Sequence, residues 1–364
     1  METVRKGALR LTSSICLVAL AACSSGGGSS SLSTAANNNT TSNSTTSNNT
    51  TSNNTTSNNT PTSVTITAPD NPSTGGTAYA GYNFSTNLPP AGTSFGLTGT
   101  IVKVTSTSIG GAGLTGAQRA SDTATYQGVV TSNGVTYPVL NLNIPSLGFT
   151  ANNVRGDGTT AATSNGGTVN AAVATLNYTV LGAWTYTPPG GGVSYLGQSA
   201  SGFLTPDSGL PTSGSATYAG NSSNTGGAIG AYAVNTSNGV QAGTLSGNVS
   251  VTANFGPNTI NGTMSNMTAT PTGSSTSAPW NNVTLSGTIS NPGGSKNNAI
   301  GTTTASAAPN GAGAAAFTSA AQGQFAGSFY GPAAQEFGAT WTLYESTNGG
   351  KAAFGTIGAT TTTP

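Results

Sequence analysis

The sequence predicts an all-β protein: a C-terminal eight-stranded antiparallel β-barrel, preceded by a β-rich handle-like domain and a disordered N-terminal tether. Three observations predict it. From Leu210 onward, run after run alternates apolar and polar residues at period two, with turns rich in Gly and Asn between the runs. No stretch carries a convincing amphipathic helical period. And composition changes sharply at Val64, where low-complexity Ser/Thr/Asn sequence gives way to β-branched and aromatic residues.

The first segment is a targeting signal. Arg5, Lys6 and Arg10 form a positive start, Ile15 to Leu20 a short apolar core, and "LAAC" ends it at Cys23. The core is too short to span a bilayer. "LAAC" reads as a bacterial lipobox, with cleavage before Cys23 and lipidation of its thiol; the alternative is an ordinary signal with an incidental cysteine. The Ser/Gly run that follows favours the lipobox. Cys16 leaves with the signal, so the processed chain holds no disulfide. The expected organisation is a signal at 1–22, a tether at 23–63, a handle-like domain at 64–210 and a barrel at 211–364.

The tether repeats "TTSNN" and has no apolar period, so it cannot build a core. As a flexible coil, its 24–61 stretch spans roughly 35 Å on average.

Strand candidates in the handle are 95–104, 123–130 and 135–144, followed by "LNYTVLGAWTY", which places Leu176, Tyr178, Val180, Gly182, Trp184 and Tyr186 on one face. In the barrel, "TLSGNVSVTANF" alternates without a break. Strands are expected near 215–220, 228–234, 244–255, 259–267, 282–290, 322–330, 337–344 and 351–358. "STNGG" reads as a hairpin turn. Eight antiparallel strands suit a closed barrel, and at that number the side chains fill the interior.

The densest stretch is "FAGSFYGPAAQEFGATWTL", 325–343. It reads as a strand, one helical turn begun by Pro332, and a returning strand. Phe329, Tyr330, Gly331, Pro332, Glu336 and Trp341 are its structural residues, with Trp341 on the packed face beside Phe337 and Leu343. Glu336 is expected to bond backbone or a nearby side chain at the junction; a catalytic role would need a second acid or base beside it.

With 4% charged residues and no His, much chemistry is excluded. Beyond residue 22 there are five positive residues (Lys103, Arg119, Arg155, Lys296, Lys351) against six negative (Asp70, Asp122, Asp157, Asp207, Glu336, Glu345), a net of −1. No basic patch exists for nucleic acid. Ser-His-Asp and Cys-His catalysis lack their histidine, and zinc lacks its usual ligands. No catalytic residue, cofactor or metal is expected.

"GQFAGSFYGPAAQEFGATW" resembles the hallmark near the end of transferrin-binding-protein-B-type β-barrels, with Ala334 and Glu336 in the expected places and Ala339 where a second glycine is expected. "LPTSGSATYAG" (210–220) resembles the opening strand of those barrels, "YTVLGAW" (178–184) and "SGFLTP" the segments before it, and "LSGNVSVTANF…TINGTM" the middle hairpin. The resemblance implies an outer-membrane-anchored, surface-exposed lipoprotein of the binding class, which captures an extracellular protein or solute, in the manner of iron or haem acquisition, and stands beside an outer-membrane transporter. The alternative is a structural or adhesive surface lipoprotein without a nutrient ligand. The shared blocks are scaffold, so binding residues are sought in the connections at 221–227, 268–281 and 291–316 and in loops before 176. Trp280 is the candidate ligand-binding anchor; the alternative reading packs it over the barrel's open end.

Overall fold

The structure is a computed structural model. It describes residues 76–362 except 98, 106–107, 113–115, 224–225, 237–238, 290–296, 320 and 346–349. The signal, Cys23, the tether and most of the "STNGG" turn lie outside the described residues.

The handle is a sandwich of two antiparallel sheets. One sheet orders Thr168–Thr175, Thr179–Thr187, Val193–Leu204, Gly99–Thr105 and Ile109–Gly111. The other orders Ser94–Gly96, Thr123–Ser132, Val135–Ile144 and Phe149–Arg155. The expected strand at 95–104 is thus two strands, one in each sheet. Facing side chains such as Phe95, Tyr126, Leu142, Phe149, Trp184 and Tyr186 form the core between the sheets. Val180 and Tyr178 pack on that core as the period-two reading requires. Leu176 does not: it precedes the strand and lies toward the barrel at Gly358.

The barrel closes with eight strand positions. Gly227–Thr236 pairs with Gly239–Asn254, which pairs with Thr259–Pro271, and the ladder runs on through Val283–Ile289, Ala299–Ala305, Gln322–Tyr330, Glu336–Glu345 and Lys351–Thr361. The last strand pairs with the first, Phe354 opposite Ala231, and closes the ring.

The number eight is reached differently from the sequence pattern. Ser215–Asn221 and Gly227–Thr236 occupy one position, not two. Both run antiparallel to Gly239–Asn254, Asn221 opposite Asn248 and Ala228 opposite Gly247, so they are one strand interrupted by a short excursion. The eighth position is Ala299–Ala305, inside the stretch read as a 291–316 loop. Its signal is weak because its inward residues are small: Ala299, Thr303 and Ala305 are buried. A Cβ at Gly301 would meet the Phe325 ring at 2.5 Å and the Gly287 Cα at 2.6 Å. Large neighbours occupy the volume, so this strand carries almost no bulk of its own.

The interior is filled by its own side chains. Tyr218, Leu245, Val251, Ile260, Met264 and Leu285 join Phe325, Phe329, Phe337, Trp341 and Leu343 in one cluster. Trp341, Phe337 and Leu343 are all at most 1% exposed.

Candidate functional site

The outer wall of the barrel has two different sides. On Glu336–Glu345 every residue but Tyr344 is buried, on both faces of the strand. Lys351–Thr361 is buried likewise from Ala352 to Ala359. Phe337, Ala339, Trp341 and Leu343 face the barrel core. The outward Gly338, Thr340 and Thr342 lie beneath the handle. Handle residues Val102, Val104 and Leu196 pack on Ala231, Ala233, Ala352 and Phe354 of the wall. A Cβ at Gly358 would lie 2.4 Å from Leu181 Cδ1, so glycine is what lets the handle sheet approach here.

The hairpin at 325–343 ties this joint. Tyr330 pairs with Glu336 across five connecting residues. The connection is a tight turn, not the helical turn expected from Pro332: Gly331 has φ +86° and Ala334 φ +56°, both left-handed and incompatible with a right-handed helix. Pro332 sits at its second residue, with its carbonyl against Gly209 of the interdomain link. The Ala334 carbonyl accepts from the Tyr218 hydroxyl at 2.8 Å. The Tyr330 hydroxyl donates to the Ala200 carbonyl of the handle at 3.1 Å.

Glu336 is 1% exposed. Its carboxylate accepts from the Asn177 amide at 2.7 Å, the Tyr178 amide at 2.9 Å and the Thr179 hydroxyl at 2.8 Å, all on the handle. Burial raises its pKa, and these donors pull it partly back. Burial also raises Tyr330, with the Glu336 charge adding to it. Glu345, the nearest acid in sequence, lies at the far end of the same strand, opposite Lys351. Nine residues of strand separate two carboxyls by about 30 Å, so Glu336 has no acid partner there and its lone pairs serve the joint.

Trp280 is buried, at 2%. Its indole N–H donates to the Ala315 carbonyl at 3.0 Å, and its ring meets Phe317 edge-on at 5.5 Å and Trp341 at 6.4 Å. The segment 306–319 crosses this end of the barrel and inserts Phe317, which is 1% exposed. Asn281 holds that segment: its amide NH₂ donates to the carbonyls of Ser306 and Phe317, and its Oδ1 accepts from the Phe317 amide at 2.7 Å. The preceding connection is shorter than expected, because the strand Thr259–Pro271 extends to pair with Ala278–Pro279. Asn297 does a similar job at the other end, bonding the Phe329 amide and carbonyl and the Thr205 carbonyl. Neither asparagine was legible as a staple; the only sequence signal is a pair of Asn-Asn doublets, each just ahead of a strand.

The uncovered wall is different. Ser250, Thr263, Thr284 and Thr304 stand in register across four strands, with Asn261, Ser286 and Thr302 in the next row. All are exposed and none is charged. Among the described residues no group of acidic or sulfur ligands is placed to hold a metal, and no helix is long and apolar enough to cross a membrane.

Residues 210–361 match the family model described as the C-lobe and N-lobe β-barrels of transferrin-binding protein B. The barrel is transferrin-binding-protein-B-like over those residues, which are less than half of the chain. Among solved structures similar to the chain is a point mutant of Transferrin Binding Protein B from Haemophilus parasuis Hp5, at 18% identity and TM-score 0.36, covering 72% of this chain and 44% of that one. Another is isotype 1 of that protein from serogroup B Neisseria meningitidis, at 16% identity and TM-score 0.34, covering 72% and 43%. The chain therefore spans less than half the length of either. No curated protein matches the sequence. Tyr330, Gly331, Pro332 and Glu336 stand where the barrel meets the handle, whereas Phe329 and Trp341 face the barrel core; the ring itself closes elsewhere, between Lys351–Thr361 and Gly227–Thr236.

Proposed function

We propose that this protein is a lipid-anchored binding module of the bacterial outer membrane that captures an extracellular protein or solute. The match of residues 210–361 to the transferrin-binding-protein-B barrels carries this reading, together with the "LAAC" lipobox. Lipidated Cys23 holds the chain to the membrane, the 23–63 tether lifts it clear, and the handle and barrel present connections from a rigid body. An outer-membrane transporter is the natural second partner. The filled barrel interior leaves capture to surfaces. Buried Trp280 presents no surface in this structure; it serves as an anchor only if the 306–319 segment lifts.

A pull-down with residues 64–364 against serum and against growth medium, followed by mass spectrometry, tests capture. A single saturable partner supports the reading, and no enrichment over an unrelated β-barrel rejects it. Cys23→Ala should release the protein from the membrane fraction and abolish acyl labelling; unchanged retention without label rejects the anchor.

The second reading is an adhesive or structural surface lipoprotein. The charge-free wall of exposed hydroxyls and amides favours it, since it offers little electrostatic complementarity to a specific protein. Binding of whole cells to surfaces, lost on deletion of the chain, supports that reading.

A further inference from the structure

The handle sandwich is not completely filled. A cavity of about 30 Å³ lies between its sheets, partly open to solvent. Phe84, Phe95, Tyr126 and Trp184 supply aromatic walls. Small residues make the space: Gly182 and Ala171 on one sheet, Ala124 on the other. Ser199 and Ser201 add two hydroxyls to a lining that is otherwise mainly apolar, with the Tyr126 hydroxyl and the Trp184 indole N–H as its further polar groups. The entrance side carries half-buried Phe84, Leu97 and Val180.

Phe84 is set by its own turn. The Asn83 Oδ1 accepts the amides of Ser85, Thr86 and Asn87 at 2.9, 2.7 and 3.2 Å, and the Phe84 amide donates to the Asn177 carbonyl at 2.7 Å. Its ring stacks on Phe203 at 5.2 Å. The wall is thus pre-formed, as ligand pockets are.

Water is a poor occupant, because the lining surface is almost entirely apolar and offers a water few of the hydrogen bonds it needs. The space admits two or three water-sized spheres at about 10–15 Å³ each, which suits a chain of a few carbons. We propose that the handle cavity is a binding site for a small uncharged aliphatic molecule with one hydrogen-bonding atom, its carbon chain against the aromatic walls and its polar atom on Ser199 or Ser201. This site is independent of protein capture by the surface.

The test uses the full chain and 3-bromo-1-propanol, whose bromine quenches a tryptophan it touches. Trp184 lines the cavity, whereas Trp280 and Trp341 are buried in the barrel. Quenching should follow a saturating curve, and the probe should raise the melting temperature, as any ligand of the folded state does. Ala171→Val and Ser201→Val each fill the space from a different strand. Each should cut the saturable quenching at least about tenfold in affinity while melting no lower than wild type in at least one case. Quenching linear in probe concentration, or saturable quenching unchanged in both variants, overturns the proposal.

Discussion

The two walls of the barrel carry nearly the same outward residues and have opposite fates. Gly338, Thr340 and Thr342 on one side, and Thr284, Ser286 and Thr302 on the other, are equally small and polar in sequence. The first three lie buried under the handle, and the second three face water. An outward position in a barrel strand is therefore not a solvent position. Small side chains allow a second sheet to approach; whether one does is decided elsewhere in the chain.

The largest expected effects come from the core shared by both walls. Trp341→Ala should destabilise the protein by about 3–5 kcal/mol, the usual cost of emptying a buried aromatic site, read by denaturant unfolding. Trp280→Ala should cost a similar amount, because its ring packs on Trp341 and Phe317. If Trp280→Ala leaves stability unchanged and lowers affinity for a captured partner, the residue is a surface anchor and the burial seen here is not its working state.

A matched pair of substitutions tests the comparison itself. Thr340→Lys places a charge beneath the handle and should cost about 3 kcal/mol or more, the order expected of a buried charge without a partner. Thr284→Lys on the open wall should stay within about 0.5 kcal/mol. Equal costs would mean that the handle does not cover its wall in solution.

Glu336→Gln sharpens the joint. The amide keeps one acceptor oxygen where the carboxylate has two, so a handle donor among Asn177, Tyr178 and Thr179 loses its partner. The expected loss is about 1–3 kcal/mol, typical of a buried unsatisfied group, with faster amide hydrogen exchange at Asn177 and Tyr178. Unchanged exchange there would show that Glu336 does not hold the handle.

The smallest effect is in pH dependence. Burial raises the Glu336 carboxyl above its unfolded value, so between the two values the folded state binds more protons than the unfolded one. Its contribution is then fully present below the unfolded pKa and is lost as pH rises through the folded pKa. On acidification from neutral pH, wild type should gain stability relative to Glu336→Gln before other carboxyls titrate. A difference of opposite sign would mean that the three handle donors outweigh burial.

Much of the fold was legible because it is written locally. Strict alternation in Gly239–Asn254 and Thr259–Pro271 marks strands with one face in a core. The hairpin at 325–343 announced itself by crowding aromatics, proline and a carboxylate into a chain that is otherwise poor in them. The strand Ala299–Ala305 was not legible, since Phe325 supplies the bulk opposite its glycine and the strand itself shows mainly Ala and Thr. The staples Asn281 and Asn297 were not legible either. Their partners are carbonyls and amides up to 92 residues away, and a buried asparagine has the same letter as one in a tether.

By itself the sequence determined the fold class, the face of each strongly alternating strand and the crowded hairpin at 325–343, because period, turn residues and composition act over a few residues; the strand pair that closes the ring was not marked in it. Only the tertiary structure decided that two runs share one strand position, that Glu336 reaches across to Asn177, Tyr178 and Thr179, and that one wall is covered while the handle core keeps a small cavity. Those outcomes depend on which small residues end up opposite one another, and contact across a sandwich or a barrel wall leaves no period in the chain.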